Sequence, residues 1–525
     1  MLAIVPSATL HGLDGMVVRV EVDVAPGLPG FTIVGLADTA LQEARERIRG
    51  ALRNAGYVHP PRRITVNLAP ADIRKAGASL DLAMAVGILL GSEQVRPGPG
   101  RLALVGELSL SGDVRPVPGV LPMVAALARH GMRRVVVAAD AGAEASLVDG
   151  VEVIPVPSLA EAIAAVRAGR RGATKREPPR VALGGEETSR HAGLSRSSTF
   201  AIAGDVPDLA EVRGQHQARR ALEIALTGGH GLLVLGPPGS GKTLLARTIP
   251  GLLPPLDDAA ALRATVIASA AGEGPISVLR RQPPFRQPHH TISYPGMVGG
   301  GPALSPGEVT KADQGTLFLD ELPEFGRDVL EALRQPLEEG CVSIVRAGRA
   351  TTLPARFQLI AAMNPCPCGY AGDGNGRCRC PPSVVERYQR RISGPLRDRI
   401  DLWVSMPRVK PEALVRGADP ESSDVVAARI AAGRAFAARQ GRGTRTIRLR
   451  GRALRAACRL SDVVARQVVS LAELERASGR GTERLLRVAR TIADLAAADR
   501  VEAEHLEEAA AYRSDVLRLA AALAS

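Results

Sequence analysis

Through the first 166 residues the hydrophobic positions recur with two periods. "MVVRVEVDVA", "RRITVNLA" and "RRVVVAA" alternate apolar and polar residues or run apolar, as strands do. "ADTALQEARERIRGALRNAG" and "VLPMVAALARHG" carry apolar residues at helical spacing. The pattern predicts an α/β domain over 1–166. It then disappears: "RAGRRGATKREPPRVALGGEETSRHAGLSRSS" mixes charge, Gly, Pro and Ser without a period, and 167–200 is expected to be a linker. From 201 to 406 strand-like runs again alternate with helical ones. From 407 to 525 the pattern is almost wholly helical, as in "TERLLRVARTIADLAAADRV". No fixed-period repeat is visible, which argues against a solenoid. The expected fold class is α/β with a helical C-terminal domain.

Composition narrows the setting. The 525 residues exceed one ordinary core, and 45% of them are hydrophobic, enough for several. No apolar run approaches the roughly 18 residues that span a membrane, and the start "MLAIVPSATLHGLDG" lacks the basic region of a secretory signal, so a cytoplasmic protein without membrane contact is expected. Lys and Arg total 67 against 54 acidic residues, a formal charge of +13 that attracts polyanions. Residues 434–459 hold nine arginines and no Asp or Glu, which reads as a patch facing nucleic acid. Aromatics are only 2%, so contact with phosphates, not base stacking, is the expected mode.

The chemistry begins at "LLVLGPPGSGKTLLART", an apolar strand, a glycine-rich turn and a helix with the P-loop spacing. Gly236, Pro237, Pro238, Gly239, Ser240 and Gly241 form a loop whose backbone N–H groups can cradle phosphates. Lys242 is expected to reach the β and γ phosphates of ATP, and the Thr243 hydroxyl to ligate magnesium. "GTLFLDELPEF" ends an apolar strand in an acidic pair. Asp320 is expected to hold Mg²⁺ and Glu321 to polarise the attacking water. Another apolar strand, "FQLIAAMNP", ends in Asn364, which can orient that water.

Together "GPPGSGKT", "PFRQPHHTISYPGMVGGGPALSPGEVTKADQGTLFLDELPEF", "NPCPCG" and "RISGPLRDRID" resemble the magnesium-chelatase-like AAA+ ATPases of the YifB/ComM type, over nearly the whole chain. The resemblance implies an AAA+ core at 201–406, a helical lid at 407–525 and a homo-oligomeric ring, with a hexamer as the expected form. It implies an inter-subunit arginine finger at Arg399, with Arg397 as competitor, and a second sensor arginine at Arg480. "CVSIVRAGRATTLPARF" has two short β-like runs around Ala347-Gly348 and predicts a hairpin; in similar rings a hairpin at this place projects into the central channel, which makes Arg346 and Arg349 candidates for gripping a DNA backbone. His289 and His290 suit loop packing or substrate contact better than a metal. "RKAGASLDLAMAVGILL" and the segment after it resemble the proteolytic domain of Lon-type proteases, with Ser79 at the nucleophile's place. That family's lysine base falls in a turn, and Leu121 occupies the matching position here, so a Lon-like domain without peptidase activity is expected.

These readings imply a DNA-stimulated ATPase acting on single-stranded or branched DNA, a helicase or branch-migration motor in recombination or in integration of incoming DNA, with recombination proteins as partners. A protein-remodelling ATPase and a nucleotide-gated scaffold share the same ATP site. Cys366, Cys368, Cys378 and Cys380 cluster in "NPCPCGYAGDGNGRCRCPP". Three readings stay open for them: a structural zinc, reduced thiols packed in a loop, or redox-sensitive pairing.

Overall fold

Alternating burial along the first strands builds the N-terminal sheet. The computed structural model describes residues 1–35, 39–70, 75, 77–168, 206–301, 304–346, 349–372, 376–409, 411–412, 420–442, 446–474 and 478–522. Strands β1 (Leu2–His11), β2 (Asp14–Ala25), β3 (Gly30–Val34) and β4 (Arg63–Ala69) form a four-stranded sheet in the order β1-β2-β4-β3. Val18, Val20, Val22 and Val24 on β2 and Ile64, Val66 and Leu68 on β4 point to one buried face. The helix Asp81–Gly91 is apolar nearly all round, and it is correspondingly buried. Asp81, at its start, is fully buried and takes a bidentate pair from the Arg47 guanidinium, whose Nε lies 2.7 Å away.

A second sheet joins β5 (Ala103–Leu104), β8 (Arg134–Ala138) and β9 (Glu152–Val156). Between them β6 (Glu107–Leu108) and β7 (Val114–Arg115) pair with each other. The chain divides into two compact units, of which the first comprises Met1–Phe200, Thr265–Leu279 and Gly300–Pro306. Within this unit the Gly119 N–H donates to the Ser269 carbonyl (2.8 Å), and the Ser269 hydroxyl donates to the Glu144 carboxylate (2.5 Å). The expected linker lies, from 169 onward, outside the described residues.

The second unit is built on five strands: β10 (Leu232–Leu235), β11 (Phe285–Arg286), β14 (Thr316–Leu319), β17 (Gln358–Met363) and β18 (Leu402–Ser405). Their order is β11-β14-β17-β10-β18, and every neighbouring pair is parallel. The runs "LLVL", "TLFL" and "QLIAAM" are almost wholly buried, as strands covered on both faces must be. A hairpin of β15 (Cys341–Arg346) and β16 (Arg349–Pro354) stands where the sequence predicts one.

C-terminal to this sheet lie the helices Ser423–Arg439, Gly451–Cys458, Asp462–Leu474, Gly479–Leu495 and Ala503–Ala522. Arg490 is fully buried among them. It is held by Asp494 and by the carbonyls of Ala457, Ala498 and Asp499. His230 ties the sheet to this bundle: Nδ1 lies 3.1 Å from the Asp401 carboxylate and Nε2 lies 2.7 Å from Thr491 Oγ1.

Candidate active site

In a parallel sheet the loops after the strands gather at the carboxyl edge. The P-loop follows β10, Asp320 and Glu321 follow β14, and Asn364 follows β17, so sequence-distant candidates meet at one edge of adjacent strands. Gly241 has φ +94°, a left-handed conformation that lets the loop turn directly into the helix Lys242–Arg247. The Lys242 ammonium donates to the carbonyls of Gly236 (2.7 Å) and Pro237 (2.9 Å) and to Asn364 Oδ1 (3.1 Å). Burial holds its pKa below the usual lysine value, while Asp320 and Glu321 pull it back up. The Thr243 hydroxyl donates to Asp320 Oδ2 at 2.6 Å, which places two hard oxygens side by side as a magnesium site requires. Ser240 Oγ is buried without a hydrogen-bond partner among the described residues. An unsatisfied hydroxyl inside a glycine-rich turn fits a phosphate chain.

Glu321 adopts φ 53°, ψ 45°, a left-handed conformation uncommon for a residue with a Cβ. Its N–H donates to Asp320 Oδ1 (2.9 Å), which fixes the turn. The side chain reaches His290, whose Nδ1 lies 3.4 Å from Glu321 Oε2. His290 meets the Phe325 ring edge-on at 6.5 Å and packs beside His289 with centroids 4.2 Å apart. The sequence gives no signal for this contact, because histidine and glutamate come from separate segments that only the fold joins.

Arg399 and Arg480 lie elsewhere. Both line a cleft of about 820 Å³ with Gly231, Gln358 and Asp401, at the amino edge of β10, β17 and β18. The four residues of β10, about 13 Å of strand, separate that edge from the P-loop. Arg399 pairs with Glu338, and burial lowers its pKa, with Arg334 and Arg480 adding to the effect. Arg397 donates to the Gln389 carbonyl.

Arg346 and Arg349 are backbone register partners at the end of the hairpin, and 347–348 lie outside the described residues. The arginine patch divides. Arg434 donates to the Leu226 carbonyl and Arg442 to Asp494 (2.6 Å), so both serve packing. Arg439, Arg448, Arg450, Arg452, Arg455 and Arg459 are exposed, and Arg445 lies outside the described residues. The sequence pattern thus overstates the patch, since burial of a guanidinium leaves no trace in charge counting.

All four clustered cysteines are free thiols whose sulfurs lie within 4.8 Å of one another. In the N-terminal unit Ser79 is buried, and its hydroxyl donates to the Ala8 carbonyl at 3.1 Å. Leu121, at the position matching the Lon-type lysine, is the second residue of the helix Val120–Arg129, where the helical spacing of "VLPMVAALARHG" puts it, and is buried.

Comparison with known proteins follows the same division. Three family models match: magnesium chelatase subunit ChlI over 208–414, the ChlI subunit of Mg-chelatase over 20–141, and the C-terminal part of ChlI over 420–513. YifB of Salmonella typhimurium is 41% identical over 518 residues, 98% of this chain and 97% of that protein. Competence protein ComM of Haemophilus influenzae is 38% identical over 519 residues, 98% of each. DNA replication licensing factor Mcm2 of Drosophila melanogaster is 26% identical over 207 residues, 36% of this chain and 20% of that protein. A P-loop and an acidic strand end on one edge of a parallel sheet, with near full-length similarity to YifB and ComM, lead to one assignment: the chain belongs to the magnesium-chelatase-like AAA+ ATPases of the YifB/ComM type.

Proposed function

We propose that this ATPase works as a homo-oligomeric ring, a hexamer, that translocates on or remodels single-stranded or branched DNA in the cytoplasm, as a helicase or branch-migration motor in recombination or integration of incoming DNA. The observation that carries the ring is the separation of Arg399 and Arg480 from Lys242 across the sheet. On the opposite edge they reach a γ-phosphate only if it belongs to a neighbouring subunit. Within each site Lys242 neutralises the β and γ phosphates, and Thr243 and Asp320 would hold Mg²⁺. Glu321 polarises the attacking water and Asn364 orients it. Mg²⁺ supplies charge neutralisation at the phosphoryl oxygens when bound. Arg399 and Arg480, from the neighbour, stabilise the charge that spreads in the transition state.

DNA as the substrate is supported by the six exposed arginines of the lid and by Arg346 and Arg349 at the hairpin's end. ComM is by name a competence protein and Mcm2 a replication factor, which agrees with this choice over a protein client. The N-terminal domain is read as Lon-like and without peptidase activity. The Ser79 hydroxyl gives its proton to a carbonyl, and apolar Leu121 stands at the base's position. Its role is then partner contact or ring assembly.

The test is ATP turnover with and without single-stranded, duplex and four-way-junction DNA, beside Lys242→Ala, with strand displacement read in the same samples. Stimulation should fall steeply with salt, log affinity losing about 0.7–0.9 per tenfold salt for each phosphate contact. Unchanged turnover at saturating DNA with no complex at low salt would refute the DNA reading and favour protein remodelling. Retained biological activity in Glu321→Gln would favour a nucleotide-gated scaffold.

A further inference from the structure

We infer that Cys366, Cys368, Cys378 and Cys380 form a closed tetrahedral site for one Zn²⁺, and that this metal staples the loop packed against the P-loop. The sulfur positions carry the first half. Cys366 Sγ lies 3.3 Å from Cys368 Sγ and 3.7 Å from Cys378 Sγ, and Cys368 Sγ lies 3.7 Å from Cys378 Sγ. A Zn–S bond of about 2.3 Å gives a tetrahedron whose edge is about 3.8 Å. The observed spacings approach that edge. They are far longer than the roughly 2.05 Å of a disulfide.

The C-x-C spacing, tight for a zinc knuckle, is accommodated by a turn. The Gly369 N–H donates to the Cys366 carbonyl (2.9 Å), and Gly369 has φ +86°. The Ala371 N–H donates to Cys366 Sγ at 3.3 Å, the outer contact that a thiolate ligand takes. Metal binding would release the thiol protons to solvent and leave a ZnS₄ centre of charge −2. Arg377 and Arg379 flank Cys378 in the sequence and offset that charge. With four sulfur ligands no coordination position is left for substrate, so the site is structural.

The second half comes from what the turn touches. A Cβ on Gly369 would meet Pro238 Cδ at 2.6 Å and Asn364 Cγ at 3.8 Å, so the cysteine loop lies directly on the P-loop and on the residue that contacts Lys242. Farther on, Gln389 donates to the Pro365 carbonyl (3.3 Å), and Arg391 pairs with Glu324 (3.0 Å) just beyond Glu321. A metal closing 366–380 therefore holds the turn at Gly369 against the P-loop and Asn364. This consequence for ATP turnover rests on the roles proposed for Lys242 and Asn364; the metal site itself does not.

The experiment uses the full chain, purified without added metal or chelator. Elemental analysis should give one zinc per chain. Protein grown with cobalt should show thiolate-to-cobalt charge transfer and tetrahedral d–d bands. Cys378→Ser with Cys380→Ser should lose the metal and weaken kcat/KM for ATP about ten- to a hundredfold through misplacement of the loop. Four freely titrating thiols without metal, disulfides detected by mass, or iron in place of zinc would each overturn the site. Loss of zinc with unchanged ATP kinetics would leave the site standing and overturn the staple. The cobalt spectrum needs no variant, so a misfolded mutant does not decide the outcome.

Discussion

Holding Glu321 in the left-handed region costs on the order of 1–3 kcal/mol, and such strain persists only where the surroundings impose it. Here the Asp320 carboxylate takes the Glu321 N–H, and His290 lies against its side chain. If Glu321 polarises water, Glu321→Gln should keep ATP binding and lower kcat by about 10²–10⁴. His290 competes with that water for the same carboxylate. A half-exposed pair of this kind is worth up to about 1 kcal/mol, so His290→Ala should raise DNA-free turnover by up to about fivefold at unchanged nucleotide affinity. Steady-state kinetics beside equilibrium nucleotide binding decide it, and a fall in turnover would show that His290 assists Glu321 instead. Lys242, Thr243, Asp320 and Asn364 were legible in the sequence, because strand, turn and spacing fix where a P-loop and an acidic strand end must come together. His290 was not, since nothing in a Gly/Pro/His stretch says which carboxylate the fold will bring to it.

At the scale of elements, hydrophobic period announced the strands and helices well, while the fate of charges within them stayed hidden. The hairpin and the helical C-terminal pattern follow from alternation and helical spacing. The nine arginines of 434–459 look alike in sequence, yet Arg442 turns inward to Asp494, which also holds the buried Arg490. Burial lowers the pKa of Arg490 and raises that of Asp494, and each offsets the other's cost through pairing. Removing Asp494 leaves two guanidinium groups in a poorly solvated site. Asp494→Ala should therefore destabilise the helical bundle by about 3–5 kcal/mol in denaturant unfolding, whereas Arg455→Ala, on an exposed arginine, should change stability by less than about 0.5 kcal/mol. Equal losses from the two variants would mean that the buried network is not what holds these helices.

At the scale of the molecule, a parallel sheet has two edges, and this chain puts Lys242, Thr243, Asp320 and Asn364 on one and Arg399 and Arg480 on the other. The proposed head-to-tail ring would resolve the separation, since heterologous contacts set one face of each subunit against the opposite face of the next. The consequence is a complementation experiment. Arg399→Ala alone should lower kcat on the order of 10³, as loss of an arginine finger does, and Lys242→Ala should be inactive through its own site. Mixed at equal amounts, the two inactive proteins place intact sites of Arg399→Ala subunits beside intact fingers of Lys242→Ala subunits. A random ring then has both partners at about one interface in four, and turnover should return to about a quarter of wild type if interfaces fire independently. A finger acting within its own chain predicts no recovery at any mixing ratio. Recovery that rises and falls with the ratio, peaking near equal amounts, is what a shared active site requires.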